Sequence, residues 1–382
     1  MGVLIYIAIF ALSLCSFYLA EYFEKKGYYN VIGYGFVIIG IIIPCLLAAF
    51  RASCVGTDTV YYEEFYDYAT KVHPFSLYCT TTDNEILFDG LIYFCANQLR
   101  SYHAFLFLCQ FLIITPIYFF SIELRRRTDV NISTTAVMYI YFVLFYNMTL
   151  NNMRQSIAAA FLLAGIYYYK KPDKFKAIIL MVLAVCFHNS AVVGIVLIVI
   201  SGFPLRYKKA NARKLSLIAL IIFFIIAIAL LPQLSEMAYN NQMIPYTIYH
   251  YAERYFVGEG RVNMTMGKIA MLICRSILLL YPLLCGKTGD FKEYKSSEIQ
   301  VILGTTIFVS FFTIYQNILA YRVTIYQDFF FMSFLPQFLY SEDYARSDVR
   351  KLFYIFFIFL YWGFYYIYEG WNGTYPYIFA FT

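Results

Sequence analysis

Residues 31–50 read VIGYGFVIIGIIIPCLLAAF, and Arg51 follows. The run carries no charge and as a helix extends ~30 Å, the thickness of a bilayer's hydrocarbon core. Comparable stretches recur at 2–20, 104–122, 132–149, 154–169, 215–232, 267–285, 298–315, 323–340 and 352–370. The composition agrees, with 62% of the 382 residues apolar and 14% charged, against ~25% charged in a soluble domain. These features exclude a soluble enzyme, a secreted disulfide scaffold and a disordered chain. They predict one all-α polytopic membrane domain over residues 1–382, with about 10–13 transmembrane segments including a short helical hairpin.

The net charge of +6 lies in clusters beside apolar spans: Lys25-Lys26, Arg125–Arg127, Lys170-Lys171, Lys208-Lys209 and Lys292 with Lys295. That is the positive-inside pattern of cytoplasmic loops, not a nucleic-acid surface. It places the N-terminus, the regions 51–103 and 233–266, and the C-terminus outside. The short, polar-marked segment 86–99 then reads as interfacial or re-entrant, with a full crossing as its alternative. Both flanks of 177–205 are basic, and one helix of that length would measure ~43 Å. A break near His188-Asn189-Ser190 resolves this into a hairpin whose tip lies deep in the protein, where irregular backbone needs protein or a water-filled cavity around it. The N-terminus lacks a basic n-region, so the first segment is expected to stay as an anchor. Of nine cysteines, Cys54 and Cys79 share an outer loop and have a disulfide open to them; the rest read as small buried hydrophobes.

Ionisable residues in or beside spans are costly and mark sites by default. Here they are Arg51, with Gly56-Thr57-Asp58-Thr59 after it, Arg154-Gln155, His188, Arg275, and Arg322 with Asp328. Each has a structural alternative: snorkelling or an ion pair for the arginines, a satisfied buried ring for His188. Under the topology above, Arg51, Asp58, Arg154, His188 and Arg322 all face the outer half of the membrane. Arginines there suit a phosphate-bearing lipid headgroup, which they bind through two parallel bonds. Cations placed in advance also stabilise a departing pyrophosphate, and Asp58 or His188 is a candidate base for an attacking hydroxyl. Gly56 permits the sharp turn that presents Asp58. Aromatic crowding after Asp58 (Tyr61, Tyr62, Phe65, Tyr66, Tyr68) and at 246–256 suits sugar faces, although an interfacial aromatic belt explains it as well. No D-x-D, Walker, dinucleotide-binding, G-x-S-x-G or Cys/His metal spacing occurs; neither a metal nor a cofactor is expected.

Arg51 with Val55–Tyr62, Asn152–Ala158, Phe187–Ala191 and Tyr321-Arg322 with Tyr326 occur in the order seen in the EpsG family. The chain resembles that family, bacterial exopolysaccharide polymerases similar to the Wzy O-antigen and capsule polymerases. The resemblance implies a GT-C-like glycosyltransferase of the inner membrane, joining undecaprenyl-pyrophosphate-linked oligosaccharide repeat units, donor and acceptor, at the outer face. It implies pyrophosphate binding by Arg51, Arg154 and Arg322, and Asp58 and His188 as candidate bases; Gln155 and Arg275 are expected as further pyrophosphate contacts from their place beside or inside spans, a buried ion pair being the alternative for Arg275. Membrane lipids and a chain-length regulator protein are its expected partners. Two rivals remain open at this point. A flippase for lipid-linked sugars also wants interior cations, but the interrupted segment 177–205 lacks the counterpart that paired transporter halves show. A membrane acyltransferase needs a His188-centred base but not three outer arginines.

Overall fold

The computed structural model describes residues 2–27, 31–82, 84–127, 132–169, 174–201 and 348–381, with scattered positions between 233 and 339. The chain divides into two compact units, Met1–Ile195 with Phe329–Thr382, and Val196–Asp328. The expected spans 215–232, 267–285, 298–315 and 323–340, and the loop 233–266, lie wholly or largely outside the described residues.

The first unit is built from α1 (Gly2–Lys25), α2 (Val31–Ala49), α3 (Thr59–Ala69), α4 (Phe75–Thr81), α5 (Ile86–Phe94), α6 (Tyr102–Arg127), α7 (Thr134–Ile140), α8 (Tyr146–Asn151), α9 (Met153–Tyr169), α10 (Lys174–Phe187), the start of α11 (Ala191–Ser201), and α12 (Asp348–Trp362). Among the described residues no strand forms. The helices α1, α2, α6 and α12 with its π-helical continuation are long and apolar enough to cross a membrane. The protein is a multi-pass helical membrane protein.

Close packing of α1 on α2 comes from one small residue. A side chain at Gly40 would meet the Phe17 ring at 3.0 Å, so the glycine is what lets the helices approach. Pro44 lacks an N–H and therefore leaves the Gly40 carbonyl, four residues earlier, without its helical partner. Ser13 on α1 supplies the missing donor at 2.5 Å, so the carbonyl that the proline frees makes an interhelical bond.

Residues 132–149, expected as one span, form α7, a π-helical stretch at Tyr141–Phe145, and α8. The widened turn begins at Tyr141, whose buried hydroxyl meets Gln110 of α6 and Thr149 of α8. A break at Asn152 (φ −86°, ψ 55°) then separates α8 from α9.

The two ends of the unit differ in chemistry. At one end Glu24 pairs with Arg125, and Glu21 accepts from the Ser133 hydroxyl and the Thr135 N–H. At the other, the C-terminal tail runs back over residues 50–57. Ala52 N–H donates to Ile378 O at 2.9 Å, Ala380 N–H to Phe50 O at 2.9 Å, and Gly56 N–H to Gly373 O at 2.8 Å. Arg51 and Phe379 thereby form an isolated antiparallel bridge.

The segment 86–99 is α5 followed by a π turn, Cys95–Leu99, ended by Arg100 in the left-handed region (φ 51°). It stays beside α3: Phe88 packs on Tyr62 with centroids 5.5 Å apart, and Tyr102, just beyond the segment, donates to Thr59 O. Of the expected hairpin 177–205, the described part breaks at 188–190, between α10 and α11. The disulfide open to Cys54 and Cys79 does not form, and both thiols are free. Cys54 precedes α3, whereas Cys79 sits on α4, which Tyr78 ties to Phe65 O in the second half of α3. About 16 Å of helix can separate residues at the two ends of α3, and a disulfide needs Cα atoms within about 7 Å.

Candidate functional site

Helix ends leave carbonyls without partners, and two such ends meet at Arg51. Its guanidinium donates to Ala48 O at the end of α2 (3.2 Å) and to Leu150 O at the end of α8 (2.7 Å), and it touches Met153 Sδ at 3.4 Å. His103 contributes a second contact to the end of α2, Nδ1 lying 2.7 Å from Ala49 O. Arg51 is 1% exposed, and its Nε has no hydrogen-bond partner. The side chain holds the α8–α9 break against α2.

The break also organises Asp58. The Asn151 carboxamide oxygen accepts from the Asp58 N–H at 2.7 Å and from the Thr57 hydroxyl at 3.1 Å. Gly56 makes this possible: its φ of +101° suits only glycine, and a Cβ there would lie 2.6 Å from Thr59 Oγ1 and 3.3 Å from Asn151 Oδ1.

Two residues beyond the break, Arg154 opens α9. Its Nη1 donates to Asn84 Oδ1 at 2.7 Å and to Glu85 Oε2 at 3.1 Å, and the guanidinium lies over the Phe88 ring at 5.6 Å, a cation–π arrangement. Glu85 binds in three directions. Its other oxygen meets His188 Nδ1 at 2.7 Å and the Asn189 N–H at 2.9 Å, at the mouth of α11. One carboxylate therefore gathers the first turn of α9 and the break between α10 and α11. Burial alone would raise the Glu85 pKa, but the hydrogen bond and charge of His188, then Arg154 and the Asn189 N–H, overcome it and hold the acid at about 2.

Tyr62 of α3 closes the cluster. Burial pushes its phenol up to about 12, opposed by the charge of Arg154 and reinforced by that of Asp58; the hydroxyl thus sits within the influence of both. Asn84 joins the cluster to Asp89, donating to its Oδ1 at 3.0 Å.

Of the residues expected from the sequence, Arg154 and His188 share Glu85, Arg154 and Asp58 both act on Tyr62, and Arg51 and Asp58 are held by the adjacent residues Leu150 and Asn151. Gln155 is buried in the first turn of α9. Arg275 and Arg322 lie outside the described residues. Glu85, Asn84 and Asn151 are additions. Glu85 carried one signal in the sequence, an acid directly before the apolar segment 86–99; Asn151 adjoins the Asn152–Ala158 motif. Among the described residues, no group of three or more His, Cys, Asp or Glu is placed to hold a metal.

The EpsG family model matches residues 34–379, nearly the whole chain and every element of this cluster. No curated protein and no solved structure matches it.

Proposed function

Because the chain belongs to the EpsG family, which is a Wzy-type polymerase-like family, we propose that it is a polysaccharide polymerase of the bacterial inner membrane. It joins oligosaccharide repeat units carried on undecaprenyl pyrophosphate, at a site open to the outer face. The observation that carries this reading is the meeting of Arg154, Asp58, Tyr62, Glu85 and His188 at one end of the helical unit. A guanidinium that keeps its charge when desolvated, beside carboxylates and an imidazole, provides both anion binding and proton transfer.

In the reaction, a hydroxyl of the acceptor unit attacks the anomeric carbon of the donor chain. A new glycosidic C–O bond forms while the bond to the diphosphate breaks, its electron pair leaving on the diphosphate oxygen. Arg154 stabilises the charge that develops there, the same role the sequence reading gives to Arg322 and Arg275. Arg51, bound to main-chain carbonyls, braces the α8–α9 break that presents Arg154, and Gln155 supports the same turn. Asp58 and His188 border the reacting centre. A chain-length regulator is the expected protein partner. The test is purified protein in lipid nanodiscs with undecaprenyl-pyrophosphate-linked repeat units. A ladder of lipid-linked oligomers supports the reading; substrate that stays monomeric, or merely crosses a liposome bilayer, overturns it.

A further inference from the structure

We propose that Glu85 is the positioning residue that makes His188 the base of this reaction, fixing the ring with its hydrogen on Nδ1 and the lone pair on Nε2. The inference rests on the polymerase reading and adds the residue that sets the proton path. Its grounds are geometric. Glu85 Oε1 lies 2.7 Å from His188 Nδ1 and also accepts the Asn189 N–H, so carboxylate and ring are held by consecutive residues of one turn. An ionised carboxylate can only accept hydrogen bonds, so the nitrogen facing it must carry the hydrogen. The depressed Glu85 pKa supports the ionised state.

The backbone limits how far the ring can move. Phe187 stacks on Phe161 of α9, with centroids 5.8 Å apart and planes within 9°. Beyond the ring, the Ala191 N–H donates to His188 O at 2.9 Å. The side chain of His188 is 14% exposed and that of Glu85 6%, so the ring is the more accessible member of the pair. Among the described residues, the charged groups that act on Glu85 besides His188 are Arg154 from α9 and Asp89 from α5, and Arg154 in turn acts on Tyr62 of α3, which also feels Asp58.

In the transfer, the acceptor's hydroxyl proton passes to Nε2 as its oxygen bonds to the anomeric carbon and the diphosphate departs with the electron pair. The imidazolium so formed faces the Glu85 carboxylate, which stabilises it; the proton then leaves to the diphosphate product or to water. Asp58 is left to stabilise the positive charge developing at the anomeric carbon.

Glu85→Gln keeps the shape but removes the charge, and its amide can donate to Nδ1, which favours the wrong tautomer. Chain extension per folded protein should fall by about 10²–10⁴-fold, with the acidic limb of the pH–rate profile displaced. Glu85→Asp, which keeps the charge, should recover part of the rate. Nitrogen-15 histidine spectra of the wild-type protein, assigned with His188→Ala, should show the Nδ1-protonated tautomer. A merely structural Glu85 would leave turnover per folded molecule unchanged, whatever the loss of heat stability. An E85Q protein within about threefold of wild-type turnover with an unmoved pH profile overturns the inference; so does a polymerising wild type whose His188 is protonated on Nε2 alone. A wild type that builds no ladder overturns the polymerase reading, and the spectra then still decide the Glu85–His188 pairing.

Discussion

Replacing Arg51 separates its structural employment from direct pyrophosphate binding. In Arg51→Ala, Ala48 O and Leu150 O lose their side-chain donor. Each orphaned buried carbonyl costs ~1–3 kcal/mol, and loss of the cation at the end of α2 adds ~0.3–1 kcal/mol. The expected loss is about 2–7 kcal/mol. For a unit of this size that lowers the apparent melting midpoint by about 5 °C or more. Arg51→Lys keeps the charge but gives up the planar two-way reach, and should lose roughly half as much. The assay heats detergent-solubilised protein in steps and follows the surviving monodisperse fraction by fluorescence-detected size exclusion, with chain extension measured on the same folded fraction at low temperature. Reduced heat stability with retained extension per folded molecule is the expected pattern. An R51A protein as heat-stable as wild type that builds no chains refutes the brace and makes Arg51 a direct ligand of the diphosphate.

Arg154→Lys, and Arg322→Lys likewise, should cut chain extension by about 100-fold or more while insertion is preserved, because a point charge cannot make two parallel bonds to phosphate; normal ladders from both variants sink the anion-binding role. Gly56→Ala should destabilise the protein by about 1–3 kcal/mol and slow chain extension, because it strains a φ of +101° and crowds Thr59 and Asn151; wild-type melting and turnover would contradict this. Glu85, ordinarily near 4.5 and held at about 2 when folded, contributes stability that is present above pH 4.5 and lost as the pH falls through 2. About 3 kcal/mol is involved, so wild-type melting points between pH 6 and 3 should drop more steeply than those of E85Q. Parallel slopes would rule out the depressed acid.

How much of this was legible from the sequence depends on how local each cause is. The spans that became α1, α2, α6 and α12 were readable because length and unbroken hydrophobicity are properties of a single segment. The break at His188 was readable from the basic flanks and the excess length of 177–205. Asp58, Arg154 and His188 were marked by being polar where lipid or apolar protein should surround them. Glu85 was marked only by its place before the apolar segment 86–99. It sits among Asn84 and other polar residues before α5, where a solvated loop acid is the ordinary reading, and it is buried only once α9 and α10 close on it. Arg51 was visible as a cation but not as a brace, because the carbonyls it binds are freed by helix ends at positions 48 and 150 that no sequence period reveals. The tail was hidden for a similar reason: Ile378 and Gly373 reach Ala52 and Gly56 only through pairings more than three hundred residues apart.

The break between α8 and α9 explains why these contacts cluster where they do. A continuous helix through residues 146–169 would use its own carbonyls and amides and leave nothing for neighbours to hold. Ending α8 at Asn151 frees Leu150 O for Arg51 and turns the Asn151 side chain toward the Asp58 N–H. Restarting at Met153 places Arg154 in the first turn of a new helix, where it meets Asn84 and Glu85. Glu85 then fastens that turn to the second break, at His188. Two interrupted helices are thus tied through a single carboxylate, and their irregular backbone is satisfied by side chains where a bilayer would offer no partners. Displacing Glu85 would therefore disturb Arg154 and His188 together, so the anion-binding and proton-accepting halves of the site are not independently tunable.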